Sequence, residues 1–195
     1  MARTILRLFL LVLCFTSAGF AQQTPAWEIF GGYSFERSVV RKYYKSTPII
    51  YTFREDYINL NGWELSITEN LNRRFGGTLQ LTGHYKSPEF RGTKSRQNMF
   101  SIMYGPRFTQ RAGWATLYEH VLFGANHNSV VVSPGPHASE WEFAAAGGLG
   151  LDVNLGSKAA VRVLQVQYSP TNPIVSRQNK FQASAGLVFR LGKTK

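Results

Sequence analysis

Apolar and polar residues alternate along most of this chain, a period of two that is typical of β-strands with one buried face. The alternation predicts eight strands, over residues 26–37, 57–70, 75–86, 97–109, 114–126, 142–153, 159–168 and 180–191. The register of the fifth and seventh predicted strands is ambiguous, and Pro106 marks a bulge or the end of the fourth. The pattern therefore predicts an all-β fold.

The predicted connections alternate between short and long. Segments 71–74, 110–113 and 154–158 are tight turns, whereas segments 38–56, 87–96, 127–141 and 169–179 are long and polar. This asymmetry is typical of transmembrane barrels, which have short periplasmic turns and longer outer loops. A sheet satisfies its own backbone groups in hydrocarbon only when it closes without edges. We therefore expect an eight-stranded, antiparallel, up-and-down transmembrane β-barrel.

The two faces of the predicted strands differ in polarity. The more apolar face is expected to contact lipid, and the face rich in Gly, Ser, Thr and Gln to line the lumen. Buried charges require partners, so we predict a charge network that plugs the lumen. Its predicted members are Glu64, Arg107, Asp152 and Arg190. The alternative is that some of these charges lie in water at the barrel ends; Arg162 and Glu119 stay unassigned because their strands have ambiguous register.

Aromatic residues fall near the predicted strand ends, as in the interface girdles of transmembrane barrels. Near the short turns lie Trp27, Phe75, Trp114 and Phe189, and near the long connections lie Tyr33, Phe35, Tyr57, Tyr85 and Tyr168. Packing in an ordinary core is the alternative explanation.

The first 21 residues have the features of an export signal. Arg3 and Arg7 precede an apolar run over 8–15, and Gly-Phe-Ala over 19–21 is a small-x-small cleavage site. We expect a signal peptide over 1–21, cleaved near Ala21, and a single barrel domain over 22–195. Cys14 is the only cysteine and lies inside this signal, so no disulfide or cysteine-bound metal is expected in the mature chain.

The 195-residue chain carries a formal net charge of +11, although charged residues make up only 17% of it. Export argues against nucleic acid as the partner of this basic chain, and lipopolysaccharide phosphates become the expected anions. The basic residues predicted to contact lipopolysaccharide from the long loops are Arg41, Lys42, Lys45, Arg91, Lys94 and Arg96. Simple solvation of these charges is the alternative.

Several short motifs, taken in order, resemble one family. They are Glu-Ile-Phe-Gly-Gly-Tyr-Ser over 28–34, Leu-Asn-Gly-Trp over 60–63, Asn-Leu-Asn-Arg over 70–73, Tyr-Gly-Pro-Arg-Phe over 104–108, Ala-Ala-Val-Arg over 159–162 and Ser-Ala-Gly-Leu-Val-Phe-Arg over 184–190. The chain resembles the OmpA-like, porin-family outer-membrane β-barrel proteins of Gram-negative bacteria such as Acidobacteria. The resemblance implies residence in the outer membrane and delivery by periplasmic chaperones and the barrel-assembly machinery.

This chain departs from that family's pattern near its end. In the family the final strand often ends in an aromatic residue resembling an assembly signal, but here six residues follow Phe189. We expect no peptidoglycan-binding domain after the barrel, so the resemblance does not imply direct tethering to the cell wall.

One pair of residues suggests chemistry. His127 and Ser129 lie two positions apart and would face the same way in an extended segment, an arrangement that resembles the one in outer-membrane lipid A deacylases. A histidine can activate a serine, and an acidic partner such as Glu119 or Glu140 would orient that histidine. An ordinary polar loop is the alternative. The four histidines lack metal-site spacing, and Gly147 to Gly150 form no phosphate loop, so no metal or cofactor is expected.

Three functional hypotheses follow. The first is a non-enzymatic barrel with a plugged lumen and a structural or surface-interaction role. The second is a narrow porin for small solutes, and the third is a lipid hydrolase that uses His127 and Ser129.

Overall fold

The computed structural model describes residues 24–45, 51–86, 89–90, 93–133, 137–171 and 178–194. The strands are β1 (Trp27–Lys45), β2 (Tyr51–Asn70), β3 (Phe75–Lys86), β4 (Glu89–Phe90), β5 (Thr93–Ala112), β6 (Ala115–Ser133), β7 (His137–Asn154), β8 (Ala159–Thr171) and β9 (Gln178–Leu191). The predicted signal over 1–21 lies outside the described residues. Within the described part of the chain, no helix is long and apolar enough to cross a membrane.

Eight long strands close into one barrel, as the alternation predicts. Neighbouring strands pair antiparallel in the order β3-β2-β1-β9-β8-β7-β6-β5, and β3 pairs with β5 to complete the circle. The closing ladder runs from Phe75 opposite Phe108 to Lys86 opposite Gln97. The two-residue strand β4 adds only a short ladder to the start of β5. Closure gives every long strand a bonded neighbour on both sides, which a sheet in hydrocarbon requires.

The strands are longer than predicted at the end with long connections. Within segment 38–56, predicted to be a loop, residues 38–45 and 51–56 continue β1 and β2 as a ladder, from Ser38 opposite Ile58 to Lys45 opposite Tyr51. In the same way β5, β6 and β7 extend into the segments predicted as loops. The prediction of loops was wrong there because a ladder needs only backbone hydrogen bonds, which form without apolar alternation.

Two irregularities explain the ambiguous register of the seventh predicted strand and the interruption at Pro106. On β8 the ladder to β9 shifts between Arg162 and Gln165, so that consecutive apolar residues, Val163 and Leu164, both face outward. Such a bulge changes which residues face inward. At Pro106 the strand continues to Ala112, but paired positions with β6 resume only at Arg107 opposite His120. Proline has no N–H to give to that ladder.

Side chains alternate between the barrel interior and its outer surface. The predicted girdle residues face outward: Trp27, Tyr33, Tyr57, Phe75, Tyr85, Trp114, Tyr168 and Phe189 are exposed, and Phe35 is partly exposed. Small apolar clusters lie inside, one of Met103, Leu122, Ala144 and Ala146 and one of Phe30, Ala160 and Val188. Most other buried side chains are polar. An apolar outside with a polar inside is the reverse of a soluble barrel.

The two ends of the described chain meet at the short-turn end of the barrel. Gly192 has a φ of 67°, which glycine adopts without strain. Thr194 donates its N–H to the carbonyl oxygen of Thr24 at 2.9 Å and its hydroxyl to that of Pro25 at 3.0 Å. These hydrogen bonds hold the described end of the chain against its start.

The lipid-facing surface generates the first prediction. Replacing outward-facing Ile102 by lysine is expected to lower the free energy of unfolding by about 2–4 kcal/mol, the cost of a charge near the bilayer centre. Leu71→Lys, in the exposed 71–74 turn, is the control and should cost less than about 1 kcal/mol. Denaturant unfolding in lipid vesicles measures both, and equal costs would contradict a lipid-facing outer surface.

Candidate functional site

The four residues predicted to form the lumen charge network all lie inside the barrel. Glu64, Arg107, Asp152 and Arg190 have exposed fractions of 2%, 2%, 0% and 4%. Arg162, left unassigned by the pattern, is also inside at 1%. Glu119 on β6, which the pattern also left unassigned, faces outward and is half-buried. The interior is therefore the richest cluster of titratable side chains that the structure describes.

The centre of the network is an ion pair between β7 and β8. Arg162 donates from Nε to Asp152 Oδ1 at 2.8 Å and from Nη2 to Oδ2 at 3.3 Å. Its third contact runs from Nη1 to Gln165 Oε1 at 2.8 Å. Two hydrogen bonds from one planar guanidinium to one carboxylate form a strong and directional ion pair. Arg107 of β5 approaches the same carboxylate at 3.8 Å, so one carboxylate connects three strands.

Aromatic rings fill the space beside the two arginines. The guanidinium of Arg107 lies 3.8 Å from the centroid of the Tyr118 ring, and that of Arg162 lies 4.1 Å from the centroid of Phe30. Tyr118 also donates its hydroxyl to Gln165 Oε1 at 2.5 Å. Gly150 has no side chain where the Tyr118 ring packs, so the ring can lie against the wall. Phe30 is an apolar residue on the inward, mostly polar face of β1, and there its ring makes a cation–π contact with Arg162.

Glu28, which is not among the predicted members of the lumen network, organises the charges at the short-turn end. Its carboxylate lies 3.0 Å from Arg107 Nη2, 3.0 Å from Arg111 Nη2 and 3.8 Å from Arg190 Nε. Arg111 further donates to the Arg73 carbonyl oxygen at 2.6 Å. The position of Glu28 on the same face of β1 as the other inward residues could have identified it from the sequence.

Glu64 is held by neutral donors, without an arginine among its hydrogen-bond partners in the described residues. Gln80 and Gln165 donate to Oε1 at 2.8 Å each. Gln182 donates to Oε2 at 2.9 Å and Ser184 at 2.6 Å. These donors come from β3, β8 and β9, so one carboxylate on β2 joins opposite walls of the barrel. Gln165 also contacts Arg162 and connects this part of the network to the ion pair.

A second polar chain leads toward the long-loop end. The hydroxyl oxygens of Ser184 and Ser34 are 3.1 Å apart, and Ser34 lies 2.9 Å from His84 Nε2. His84 Nδ1 is 3.5 Å from Glu36, whose carboxylate accepts from Ser38 at 2.8 Å. Beside it lies a cavity of about 10 Å³, lined in part by Glu36 and Lys180, about the space that one water molecule needs.

The predicted His127 and Ser129 pair lies on the outer surface at the long-loop end. His127 Nε2 is 2.7 Å from the hydroxyl of Ser139, which is opposite Ser129 in the ladder. The imidazole also packs on Trp141, with ring centroids 4.8 Å apart. Sequence spacing could not reveal this cross-strand serine.

The two acidic residues considered as partners of His127 are placed differently. Glu119 lies eight positions away on the same strand, about 25 Å in extended backbone, so it does not orient this imidazole. Glu140 is exposed on β7 and alternates with Ser139 and Trp141, which face His127.

The basic residues predicted to contact lipopolysaccharide are only partly within the description. Arg96 is exposed, and Arg91 lies outside the described residues. For Arg41, Lys42, Lys45 and Lys94 the structure describes the backbone, which is in strands, but not the side chains. Arg41 is opposite Glu55 in the ladder and Lys42 is opposite Arg54, so basic residues occupy both strands of this hairpin.

Comparisons with known proteins identify the architecture through structure alone. No family model matches the chain, and no curated protein matches it in sequence. Neisserial surface protein A is 10% identical, with a TM-score of 0.65 over 85% of this chain and 97% of its own. Ail of Yersinia pestis, solved with the heparin analogue sucrose octasulfate, is 16% identical, with a TM-score of 0.56 over 84% and 99%.

A third solved structure gives the same result. OprG, an outer-membrane protein of Pseudomonas aeruginosa, is 14% identical, with a TM-score of 0.53 over 88% of this chain and 98% of its own. At these identities the likeness concerns the fold. The predicted eight-stranded outer-membrane β-barrel architecture is thus confirmed, and the likeness supports a place in the outer membrane.

The Glu64 contacts generate the second prediction. Glu64→Leu removes the acceptor shared by three buried glutamine amides, and we expect a loss of about 3 kcal/mol of unfolding free energy. Glu69→Leu on the same strand, where the side chain is exposed, should change it by less than about 1 kcal/mol. Denaturant unfolding in vesicles compares them, and a Glu64→Leu barrel as stable as the parent would contradict the assigned contacts.

Proposed function

We propose that this chain, which has the fold of the outer-membrane β-barrels, is an outer-membrane protein whose lumen is plugged by side chains and whose role is structural or surface-interacting. One observation carries the plugged lumen: the carboxylate of Glu64 on β2 accepts hydrogen bonds from β3, β8 and β9. Side chains that join facing walls occupy the path that a solute would take. Eight-stranded barrels have interiors narrow enough for side chains to fill.

Charge balance supports the same proposal. The described interior holds five buried cationic side chains, Arg107, Arg111, Arg162, Lys180 and Arg190, and four acidic ones, Glu28, Glu36, Glu64 and Asp152. Nearly equal numbers allow mutual neutralisation, whereas a selective pore presents a ring of one sign to the passing ion. The contacts favour a closed barrel over a narrow porin.

Planar-bilayer conductance tests this proposal. The refolded protein should show no steady single-channel openings, because the paired side chains leave no continuous water path. A variant with Glu64, Arg107 and Arg162 all replaced by serine, provided it folds, should conduct in steps and so shows that the assay detects an opened barrel. Steady openings of the parent protein would instead support the narrow porin.

The surface-interacting role is proposed from the basic hairpin formed by β1 and β2. Strand β1 carries Arg41, Lys42 and Lys45, and strand β2 carries Arg54. These residues lie at the end that faces outward when the short turns face the periplasm, beside the lipopolysaccharide phosphates. The heparin analogue bound in the Ail structure is itself a polyanion. Delivery by periplasmic chaperones and the barrel-assembly machinery, after cleavage of a signal near Ala21, belongs to this proposal.

The proposed contact surface predicts that the basic residues of β1 contribute to lipopolysaccharide binding. Reversing Arg41, Lys42 and Lys45 to glutamate should weaken binding of lipopolysaccharide to the detergent-solubilised barrel by about tenfold or more, since each basic residue near an anionic surface contributes about 1 kcal/mol. The same three reversals at the exposed short-turn positions Arg73, Lys158 and Lys193 control for net charge. Equal losses in both variants would contradict a dedicated contact surface.

A lipid hydrolase is the second candidate, and the His127 contact sharpens its test. The imidazole lies within hydrogen-bond distance of the Ser139 hydroxyl, so a nucleophile other than Ser129 is possible. If the purified protein releases fatty acid from lipid A, one of Ser129→Ala and Ser139→Ala should abolish release while the other leaves it intact. Release that survives both substitutions and His127→Ala would remove this candidate.

A further inference from the structure

One acidic side chain lies on the outer surface in the middle of apolar residues. Glu119 is flanked along β6 by Leu117 and Val121, and across the ladders by Phe108 and Leu149. Among the described outward-facing acidic and basic side chains, only Glu119 has a large apolar residue at all four of these neighbouring positions; Glu69, for example, is opposite Gly77. An ionised side chain in hydrocarbon has a high free energy, which a partner of opposite charge lowers.

Glu119 also lines a groove in the barrel wall. The groove has a volume of about 610 Å³, and its lining includes Phe75, Phe108, Leu149, Val166 and Tyr168. Gly147 lies in the groove, between Val121 and Tyr168 in the ladders. It has no side chain to fill this space, and no neighbouring atom lies within 4 Å of where its Cβ would be. The walls suit a hydrocarbon chain, and the carboxylate suits a cation.

The occupant must supply the cation. Arg37 is a described outward cation in the apolar band of a second copy, but its guanidinium lies 4.3 Å from the Tyr57 ring centroid, near the long-loop end. Glu119 lies near the short-turn end, so a second copy in the same orientation does not bring Arg37 to it. An ammonium-bearing phospholipid offers both an alkyl chain and a positive charge. Glu119 is four residues from the start of β6, which places it about 10 Å above the short turns in a strand tilted by about 40°. This depth is within reach of a lipid headgroup drawn slightly inward.

A cation at the mouth of the groove complements the lipid phosphate. Arg74 is exposed in the turn directly before Phe75, and Phe75 lines the groove. We propose that Glu119 and this groove form a binding site for an ammonium-bearing phospholipid of the periplasmic leaflet, with the ammonium on Glu119 and the phosphate on Arg74. This inference rests on the proposed membrane location.

Native mass spectrometry of the refolded protein in detergent tests the site. Phosphatidylethanolamine should bind about tenfold more tightly than phosphatidylglycerol with the same acyl chains, because only the former donates charge-assisted hydrogen bonds to a carboxylate. Glu119→Gln should abolish this preference, and Glu69→Gln, an outward glutamate at the strand end, should retain it. Gly147→Phe, which fills the groove, should weaken the binding of both lipids.

The outcomes separate the inference from the proposal beneath it. Every variant is first checked for a heat-dependent shift in gel migration, and a parent protein without that shift would count against the membrane barrel itself. In a folded parent protein, equal affinity for the two lipids would overturn the lipid site. A preference that persists in Glu119→Gln would also overturn it, as would a two-chain species that disappears in Glu119→Gln, since that would make a second copy the occupant.

Discussion

The hydrogen bonds between β3 and β5 are the interaction on which the rest of this structure depends. They turn an eight-stranded sheet with two edges into a barrel with none, and in hydrocarbon an open edge would leave a row of polar groups without partners. Once the ladder is closed, each strand has a lipid side and an interior side. The same closure brings side chains from opposite walls within hydrogen-bond distance.

The interior then has its own requirement, because charges removed from water must be paired. Asp152 and Glu28 gather the arginines of β5, β8 and β9 around two carboxylates. Glu64 instead accepts from neutral amide and hydroxyl donors of β3, β8 and β9. Such a network gains little net stability over an apolar core but is costly to break at one member. It therefore fixes which side chains face inward, and it supports a barrel without an open path.

Much of this arrangement could be predicted from alternation, since a period of two assigns each residue to one face. Glu64 and Asp152 were placed inside on that basis. The bulge at Val163 and Leu164 could not be, because two adjacent apolar residues fit either register. Glu28 was missed since a carboxylate at a strand end is normally solvated, and only the fold brings three arginines to it. The contact of His127 with Ser139 depends on pairing between strands, which spacing along one strand does not encode.

Spin-label accessibility along β5 tests the central claim most directly, because the only native cysteine, Cys14, lies in the predicted signal. Labels placed singly at positions 100 to 104 of the refolded protein in vesicles should alternate. We expect high collision rates with oxygen, which concentrates in lipid, at positions 100, 102 and 104, where the native side chains are exposed, and low rates at 101 and 103, where they are buried. Oxygen accessibility that is uniform, or highest at 101 and 103, would contradict a barrel with an apolar outside and a polar, packed interior.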